Sequence, residues 1–184
     1  MISAYRMQSD WSNELFGFIL ALAAISLTGC KHQETLIGTI GQPVDLGLSV
    51  MWANHNYGAS ADAEIGKELT WNGKAHSGRQ NKTLSRTWGK EWKAPTLEQV
   101  GELMDKCTWE WQEDAPRGYI VTGPNGNSIF IPHVSSGYWT KDVDPDHKPF
   151  IAFMYFNTSY PDMSYTEADN LRYVRPVSTK RIHN

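Results

Sequence analysis

The chain has 184 residues, of which 17 are Lys or Arg and 20 are Asp or Glu, and its formal net charge is −3. This balance excludes a protein built to grip a nucleic acid backbone, because such proteins carry clustered Lys and Arg. The chain is long enough for one domain with its own core. It holds eight tryptophans, a residue type that serves both hydrophobic cores and recognition surfaces.

An apolar run near the N-terminus ends close to a cysteine. The run extends from Leu15 to Leu27, which is shorter than the roughly 20 residues that span a bilayer but suits the core of a signal peptide. The residues Leu27-Thr28-Gly29-Cys30 resemble the lipobox of bacterial lipoproteins. In that class the signal is cut before the cysteine, and the cysteine carries acyl chains. The alternatives are a buried helix, or an ordinary signal peptide followed by a chance cysteine.

The lipobox resemblance implies a division of the chain into three parts. Residues 1–29 are expected to be the signal peptide, residues 30–43 the lipidated Cys30 with its tether, and residues 44–184 the folded domain. The acyl chains would anchor the protein in the outer membrane, facing either the cell surface or the periplasm. We expect the domain to be monomeric.

The first predicted elements are a strand and a long irregular stretch. From Val44 to Trp52 apolar side chains alternate with others, which predicts a half-buried strand. The stretch from Ala53 to Gly89 has little periodicity and many Gly, Asn, Ser and Lys residues. It is predicted to contain at most short elements, and long stretches of this kind are often functional.

A helix is predicted to begin after Thr96. Thr96 and Gln99 form a capping box, in which each side chain accepts a hydrogen bond from the other residue's backbone N–H. Apolar residues follow at helical spacing on one face: Leu97, Val100, Leu103, Met104 and Cys107. Cys107 is interpreted as a small buried hydrophobe rather than a nucleophile.

The C-terminal half is predicted to be mostly strands. Tyr119–Thr122 and Ser128–Ile131 flank a Gly-Pro-Asn-Gly-Asn turn, which predicts a hairpin. Phe150 to Phe156 is apolar on both faces and is predicted to be a central strand. Leu171 to Val177 is predicted to be the closing strand, with Pro176 marking its end or a sheet edge. The order of elements predicts an α+β fold with an antiparallel sheet.

With these elements placed, the sequence resembles the Fibrobacter-type major paralogous domain, which is abundant among lipoproteins of Bacteroides-like bacteria. The matching stretches are residues 44–53, 58–60, 92–96, 107–111, 118–132, 137–140, 155–157 and 174–177. The resemblance implies a C-type-lectin-like fold with small antiparallel sheets, one well-defined helix and long irregular loops. It implies no known reaction. Trp109 and Trp139 lie within these motifs and are interpreted as core residues.

No cofactor or metal site is expected. The tripeptides that build the calcium site of sugar-binding C-type lectins do not occur in the sequence. Asp142, Asp144 and Asp146 have the spacing that opens an EF-hand loop, but His147 and Phe153 occupy its sixth and twelfth positions, where Gly and a carboxylate are needed. The segment is interpreted as a solvated acidic loop. The six histidines show no close zinc-site spacing.

A ligand surface is predicted in two segments that flank the strand Phe150–Phe156. Segments 141–149 and 158–170 are expected to be loops that project from neighbouring edges of one sheet, and their composition is typical of adaptable recognition surfaces. The alternative is that they are ordinary polar loops. The candidate ligand-binding residues are Lys141, Asp142, Asp144, His147, Thr158, Tyr160, Asp162, Tyr165, Asp169 and Asn170.

The function predicted from these observations is a lipid-anchored cell-envelope binding module without catalysis. It would recognise a protein or a glycan through its C-terminal loops. Two alternatives remain at this point: a structural or accessory subunit of a surface filament, and an uncharacterised hydrolase.

Overall fold

The structure, a computed structural model, describes residues 38–71, 79–144, 146, 148–157 and 160–179, without the side chains of residues 79–82. All of these residues belong to one compact unit, Ile37–Asn184. The predicted signal peptide, Cys30 and residues 31–37 of the predicted tether lie outside the described residues. Two candidate ligand residues, His147 and Thr158, lie outside them as well.

Twelve short strands are found in the described part of the chain. In chain order they are β1 Pro43–Val44, β2 Met51–Ala53, β3 Leu69–Thr70, β4 Trp92–Lys93, β5 Thr108–Gln112, β6 Gly118–Thr122, β7 Ser128–Pro132, β8 Tyr138–Val143, β9 Ile151–Phe156, β10 Pro161–Thr166, β11 Leu171–Arg172 and β12 Val177–Ser178. They form four sheets in the orders β1-β2-β12-β4, β5-β6-β7, β10-β9-β8 and β11-β3. Every pairing between these strands is antiparallel.

Two helices accompany the sheets, α1 Arg79–Thr87 and α2 Leu97–Lys106. The predicted capping box of α2 is present: Thr96 Oγ1 accepts from Gln99 N at 2.9 Å, and Gln99 Oε1 accepts from Thr96 N at 2.8 Å. Helix α1 was not predicted. It lies within the stretch that was expected to hold at most short elements, and its nine residues carry few apolar side chains. The α+β class with antiparallel sheets is confirmed, as are the hairpin β6–β7 and the central position of β9.

The prediction of one strand over residues 44–52 is wrong. Val44 of β1 pairs with Trp52 of β2 in an antiparallel register, so the chain turns back on itself between them. Asp45 Oδ1 accepts from Gly47 N at 2.8 Å, and Gly47 has a φ of +75° that favours glycine. The predicted inward face is nevertheless correct, since the apolar residues of the turn are buried: Leu46, Leu48 and Val50.

A glutamate of α2 fixes this turn from outside. Glu102 Oε2 accepts from Ser49 N at 3.0 Å, and Lys106 Nζ donates to Glu102 Oε1 at 2.9 Å. Burial raises the pKa of Glu102, but the hydrogen bonds from Ser49 and Lys106 together leave it lowered. The turn 45–50 and the helix are therefore linked by a carboxylate that is favoured in its charged form.

The prediction of one closing strand over residues 171–177 is also wrong, because residues 173–176 separate two short strands, β11 and β12. Arg175 is 1% exposed and lies between β11 and β12. Its guanidinium donates to Asn56 Oδ1 at 2.8 Å and to the carbonyl oxygens of Ala53, Asn54 and Phe130 at 3.0, 2.7 and 2.8 Å. Burial lowers its pKa to about 10. Arg175 thus connects three parts of the chain that are distant in sequence.

The N-terminal edge of the domain begins earlier than predicted. Residues 38–43 were assigned to the tether, yet Gly38 and Gly41 are buried and Thr39 N donates to Ala59 O at 3.0 Å. A Cβ at Gly38 would lie 2.2 Å from Ala59 O. This close approach requires glycine and holds the segment against the folded body.

Candidate functional site

An open groove lies where the C-terminal end of α2 and the start of β5 meet the turn before β10. Its volume is about 430 Å³, within the range of small-molecule clefts. The lining residues are Met104, Asp105, Cys107, Thr108, Trp109, Tyr160 and Pro161. The groove therefore combines flat aromatic surface with polar groups.

The side chain of Trp109 is half-buried and lines one wall of the groove. Its indole Nε1 donates to Leu103 O at 3.3 Å, which fixes the ring against the end of α2. Tyr119 and Phe156 contact it edge-on, with centroid distances of 5.6 and 6.4 Å. Because these partners restrict the ring, little side-chain entropy remains to be lost when a ligand packs on its free surface.

Tyr160 lies at the edge of the groove and is 65% exposed. Asn157 fixes the backbone below it: Tyr160 N donates to Asn157 Oδ1 at 2.9 Å, and Asn157 N donates to Tyr160 O at 3.2 Å. Burial raises the pKa of Tyr119, and the neighbouring Tyr160 raises it further.

The polar groups of the groove are Asp105 and Thr108, both exposed. The side-chain carboxylate of Asp105 makes no hydrogen bond or ion pair with the residues that the structure describes. Thr108 Oγ1 has one long contact, 3.5 Å, with Thr122 O. Among the described residues, both side chains therefore retain hydrogen-bonding capacity.

Cys107 also lines the groove, but its chemistry is that of a packed apolar residue. Burial raises its thiol pKa to about 11, and the charge of Glu102 adds to the effect. At neutral pH the thiolate, which is the reactive form, is therefore scarce. The interpretation of Cys107 as a buried hydrophobe is confirmed.

Further aromatic side chains extend the surface beyond the groove along β5 and β9. Phe156 stacks on Tyr119 at 5.1 Å and on His133 at 5.4 Å. Trp111 is 41% exposed, contacts His133 edge-on at 5.5 Å, and donates from Nε1 to Glu113 Oε2 at 2.6 Å. These rings connect the sheet β5-β6-β7 to the sheet β10-β9-β8.

The two predicted ligand loops differ from the structure in their bounds and in their placement. Residues 141–143 belong to β8, and residues 161–166 form β10, so these parts are strands. Thr166 and Val143 both lie opposite Ile151, whereas Pro161 lies opposite Phe156. The turns that follow β8 and β10 therefore share one end of the sheet. Tyr160 lies at the other end, about 17 Å away along β10.

Asp142 and Asp144 have structural partners. Asp142 Oδ2 accepts from Leu97 N at 2.6 Å and so caps the first residue of α2. Asp144 is buried; its N–H donates to Phe150 O at 2.7 Å and its Oδ1 accepts from Asp146 N at 2.9 Å. The charged group of Asp142 completes a helix terminus, and Asp144 closes the turn after β8.

The remaining described candidates are distributed along β10 and its following turn. Asp162 Oδ2 accepts from the Tyr155 hydroxyl at 3.1 Å, a hydrogen bond that raises the pKa of Tyr155. Asn170 Nδ2 donates to Thr166 Oγ1 at 2.7 Å. The side chains of Lys141, Tyr165 and Asp169 are exposed. Among the described candidates, Tyr160 is the one that lines the groove.

Sequence reasoning missed the other residues of the groove. Trp139 is fully buried, as predicted for a core residue, but Trp109 is only half-buried and its free surface lines the groove. No motif or spacing in the sequence marks Asp105 or Thr108 as part of a site. The one available hint was the Thr-Trp-Glu-Trp pattern of β5, which places two tryptophans on the same face of an edge strand.

Across residues 38–179, in the parts that are described, no three or more His, Cys, Asp or Glu side chains are grouped so that they could hold a metal ion. The helices of these same parts are too short and too polar to cross a membrane. Comparisons with protein-family models, with curated proteins and with solved structures find no match for the chain.

Proposed function

We propose that the protein is a lipid-anchored binding module of the cell envelope and has no catalytic activity. The observation that carries the proposal is the groove in which the exposed Tyr160 lies beside the fixed ring of Trp109. Exposed aromatic rings on a rigid support give large contact area at low entropic cost, as recognition surfaces require.

The membrane anchor of this proposal is Cys30, acylated after removal of residues 1–29. Residues 31–37 then lie between the anchor and Gly38, the first residue that the structure describes. These seven residues reach at most about 25 Å when fully extended. The domain would therefore stay close to the outer membrane, on the surface or on the periplasmic side.

The fold supports membership of the major paralogous domain class with a C-type-lectin-like architecture, which we propose on two grounds. The small antiparallel sheets and the capped helix α2 agree with what that resemblance implies. The long irregular segment 54–68 agrees with it as well, since these residues contain no regular element.

The groove chemistry favours binding over catalysis. General acid–base hydrolysis commonly uses two titratable groups, such as a pair of carboxylates. The groove lining contains a single carboxylate, Asp105, and a thiol whose pKa is raised to about 11. The hydrolase alternative therefore gains no support from this site.

One observation favours a filament subunit as a second candidate. Strands β5 and β10 are edge strands of their sheets, and both contribute residues to the groove. An edge strand can pair with a strand from another chain. In this second candidate, the groove would receive a segment of a neighbouring copy.

Two measurements test the proposed function. Metabolic labelling with palmitate should label the wild-type protein and leave Cys30→Ser unlabelled; labelling of both would contradict the anchor. The purified protein, applied to arrays of glycans and of envelope and matrix proteins, should bind members of at least one array while remaining monomeric in solution. Absence of binding on both arrays would contradict the binding module, and self-association into linear assemblies would favour the filament candidate.

A further inference from the structure

We propose that the groove binds a neutral glycan, with a pyranose ring packed against Trp109 and Tyr160 and with its hydroxyl groups hydrogen-bonded to Asp105. This inference rests on the proposed binding function and assigns a ligand class to it. Of the described candidates in the predicted C-terminal loops it keeps Tyr160, and it adds residues of α2 and β5 to the site.

The aromatic residues of the groove suit the apolar faces of a sugar ring. A pyranose ring presents C–H groups on its flat faces, and these pack on an aromatic face as other apolar groups do. Tyr160 offers an exposed ring of this kind, and the free surface of Trp109 lies in the same groove. Hydrogen bonds at Leu103 and Asn157 hold the supports of both rings in place before any ligand arrives.

The polar residues of the groove suit the hydroxyl groups of a sugar. Adjacent sugar hydroxyls point outward from the ring edge, and a carboxylate with two oxygens can accept hydrogen bonds from two of them. Asp105 lies beside the rings, and its side-chain carboxylate has no partner among the described residues. The hydroxyl groups of Thr108 and Tyr160 can donate to or accept from further positions.

The charge of the groove selects among glycans. Asp105 is the one charged side chain among the lining residues, and Lys, Arg and His are absent from that lining. Uronic acids, sialic acids and sulfated sugars would meet a like charge at Asp105. The groove therefore favours neutral sugars.

The same lining separates this site from a calcium-dependent one. Calcium takes six to eight oxygen ligands, most often with several carboxylates. A single carboxylate in the lining falls well short of that set. Sugar binding in this groove is expected to persist in a metal chelator.

The test uses immobilised neutral oligosaccharides, namely glucans, mannans, galactans and N-acetylglucosamine oligomers, with sulfated and uronic acid oligosaccharides and a protein array alongside. Tyr160→Ala and Asp105→Asn are the test variants. Tyr165→Ala is the matched control, since it also removes an exposed tyrosine but lies near the opposite end of β10. All four proteins are compared with and without EDTA.

We expect a neutral oligosaccharide to bind the wild-type protein, with affinity reduced about tenfold or more in Tyr160→Ala and in Asp105→Asn, because each variant loses about one anchoring contact. Tyr165→Ala and EDTA should change the affinity less than twofold.

Four results would overturn the inference: binding of anionic sugars alone, loss of sugar binding in EDTA, equal losses in Tyr160→Ala and Tyr165→Ala, or binding on the protein array with none on the glycan arrays. In each of these cases the proposed binding function survives. No binding to any array would overturn the inference and the proposed function together.

Discussion

Replacement of Asp142 tests whether a residue that the sequence placed in a ligand loop is instead part of the fold. Asp142 Oδ2 accepts a hydrogen bond of 2.6 Å from Leu97 N, the first N–H of α2. Thr96 already satisfies Gln99 N at the same helix end. Asp142→Ala therefore leaves one N–H of the first turn without its partner and removes a negative charge from the positive end of the helix dipole.

The magnitude follows from these two contributions. Hydrogen bonds to charged groups contribute about 1.5–3 kcal/mol, and loss of a capping side chain costs about 0.5–2 kcal/mol. Asp142 is partly exposed, so water can replace some of the lost interaction. We expect Asp142→Ala to lower the free energy of unfolding by about 1.5 kcal/mol, and Asp142→Asn, which keeps an acceptor, by about 0.5 kcal/mol.

Urea unfolding followed by circular dichroism measures this difference. Lys141→Ala is the control, because its side chain is exposed on the same strand, and its effect should stay within about 0.5 kcal/mol. Unchanged stability of Asp142→Ala would refute the capping role. If that variant also lost ligand affinity, the original assignment of Asp142 to the ligand surface would be restored.

Three further predictions concern the stability of the fold and the reactivity of the groove. Arg175→Met should lower the free energy of unfolding by more than about 3 kcal/mol, since it leaves buried carbonyl groups unpaired, as measured in urea. The lowered pKa of Glu102 makes its contribution to stability fully present above about pH 4.5 and lost as the pH falls through its folded-state pKa. Glu102→Gln should therefore flatten the acid limb of the stability–pH curve measured by thermal unfolding. Iodoacetamide should alkylate Cys107 at pH 8 about 100-fold more slowly than an ordinary thiol, because its pKa of about 11 leaves little thiolate, as followed by mass spectrometry.

Each of these three predictions has a clear contrary result. If Arg175→Met were as stable as the wild type, the hydrogen bonds of the buried guanidinium would not stabilise the fold. If Glu102→Gln left the acid limb of the stability–pH curve unchanged, the hydrogen bond between Glu102 and Ser49 would contribute nothing to the stability. Alkylation of Cys107 at the rate of a free thiol would contradict its burial.

The elements that the sequence predicted correctly are those with local causes. The capping box of α2 joins residues three positions apart, and the hairpin β6–β7 follows from the turn chemistry of the five residues between its strands. The inward face of residues 46–52 is likewise read directly from the alternation of apolar side chains. In each case the interacting residues are close in the sequence, so their pattern contains the necessary information.

The errors arise where the sequence pattern does not determine how the chain turns back or which distant residues meet. Apolar alternation over residues 44–52 cannot distinguish a strand from a turn whose side chains enter the same core. The interruption of the closing strand contains Arg175, whose guanidinium donates to carbonyl groups more than forty residues away. The groove is lined by residues 104–109 and 160–161. Their separation in the sequence gives no pattern from which this proximity could be predicted.

The central claim, that a ligand binds between Trp109 and Tyr160, is tested most directly by NMR. The protein, labelled with 15N, is titrated with the neutral oligosaccharides, and the indole N–H of Trp109 and the backbone N–H of Tyr160 are followed. Binding at this site should shift both signals saturably and leave the turn after β8 and Tyr165 unaffected. Shifts confined to residues 144–150 and 166–170, at the opposite end of the sheet, would contradict it.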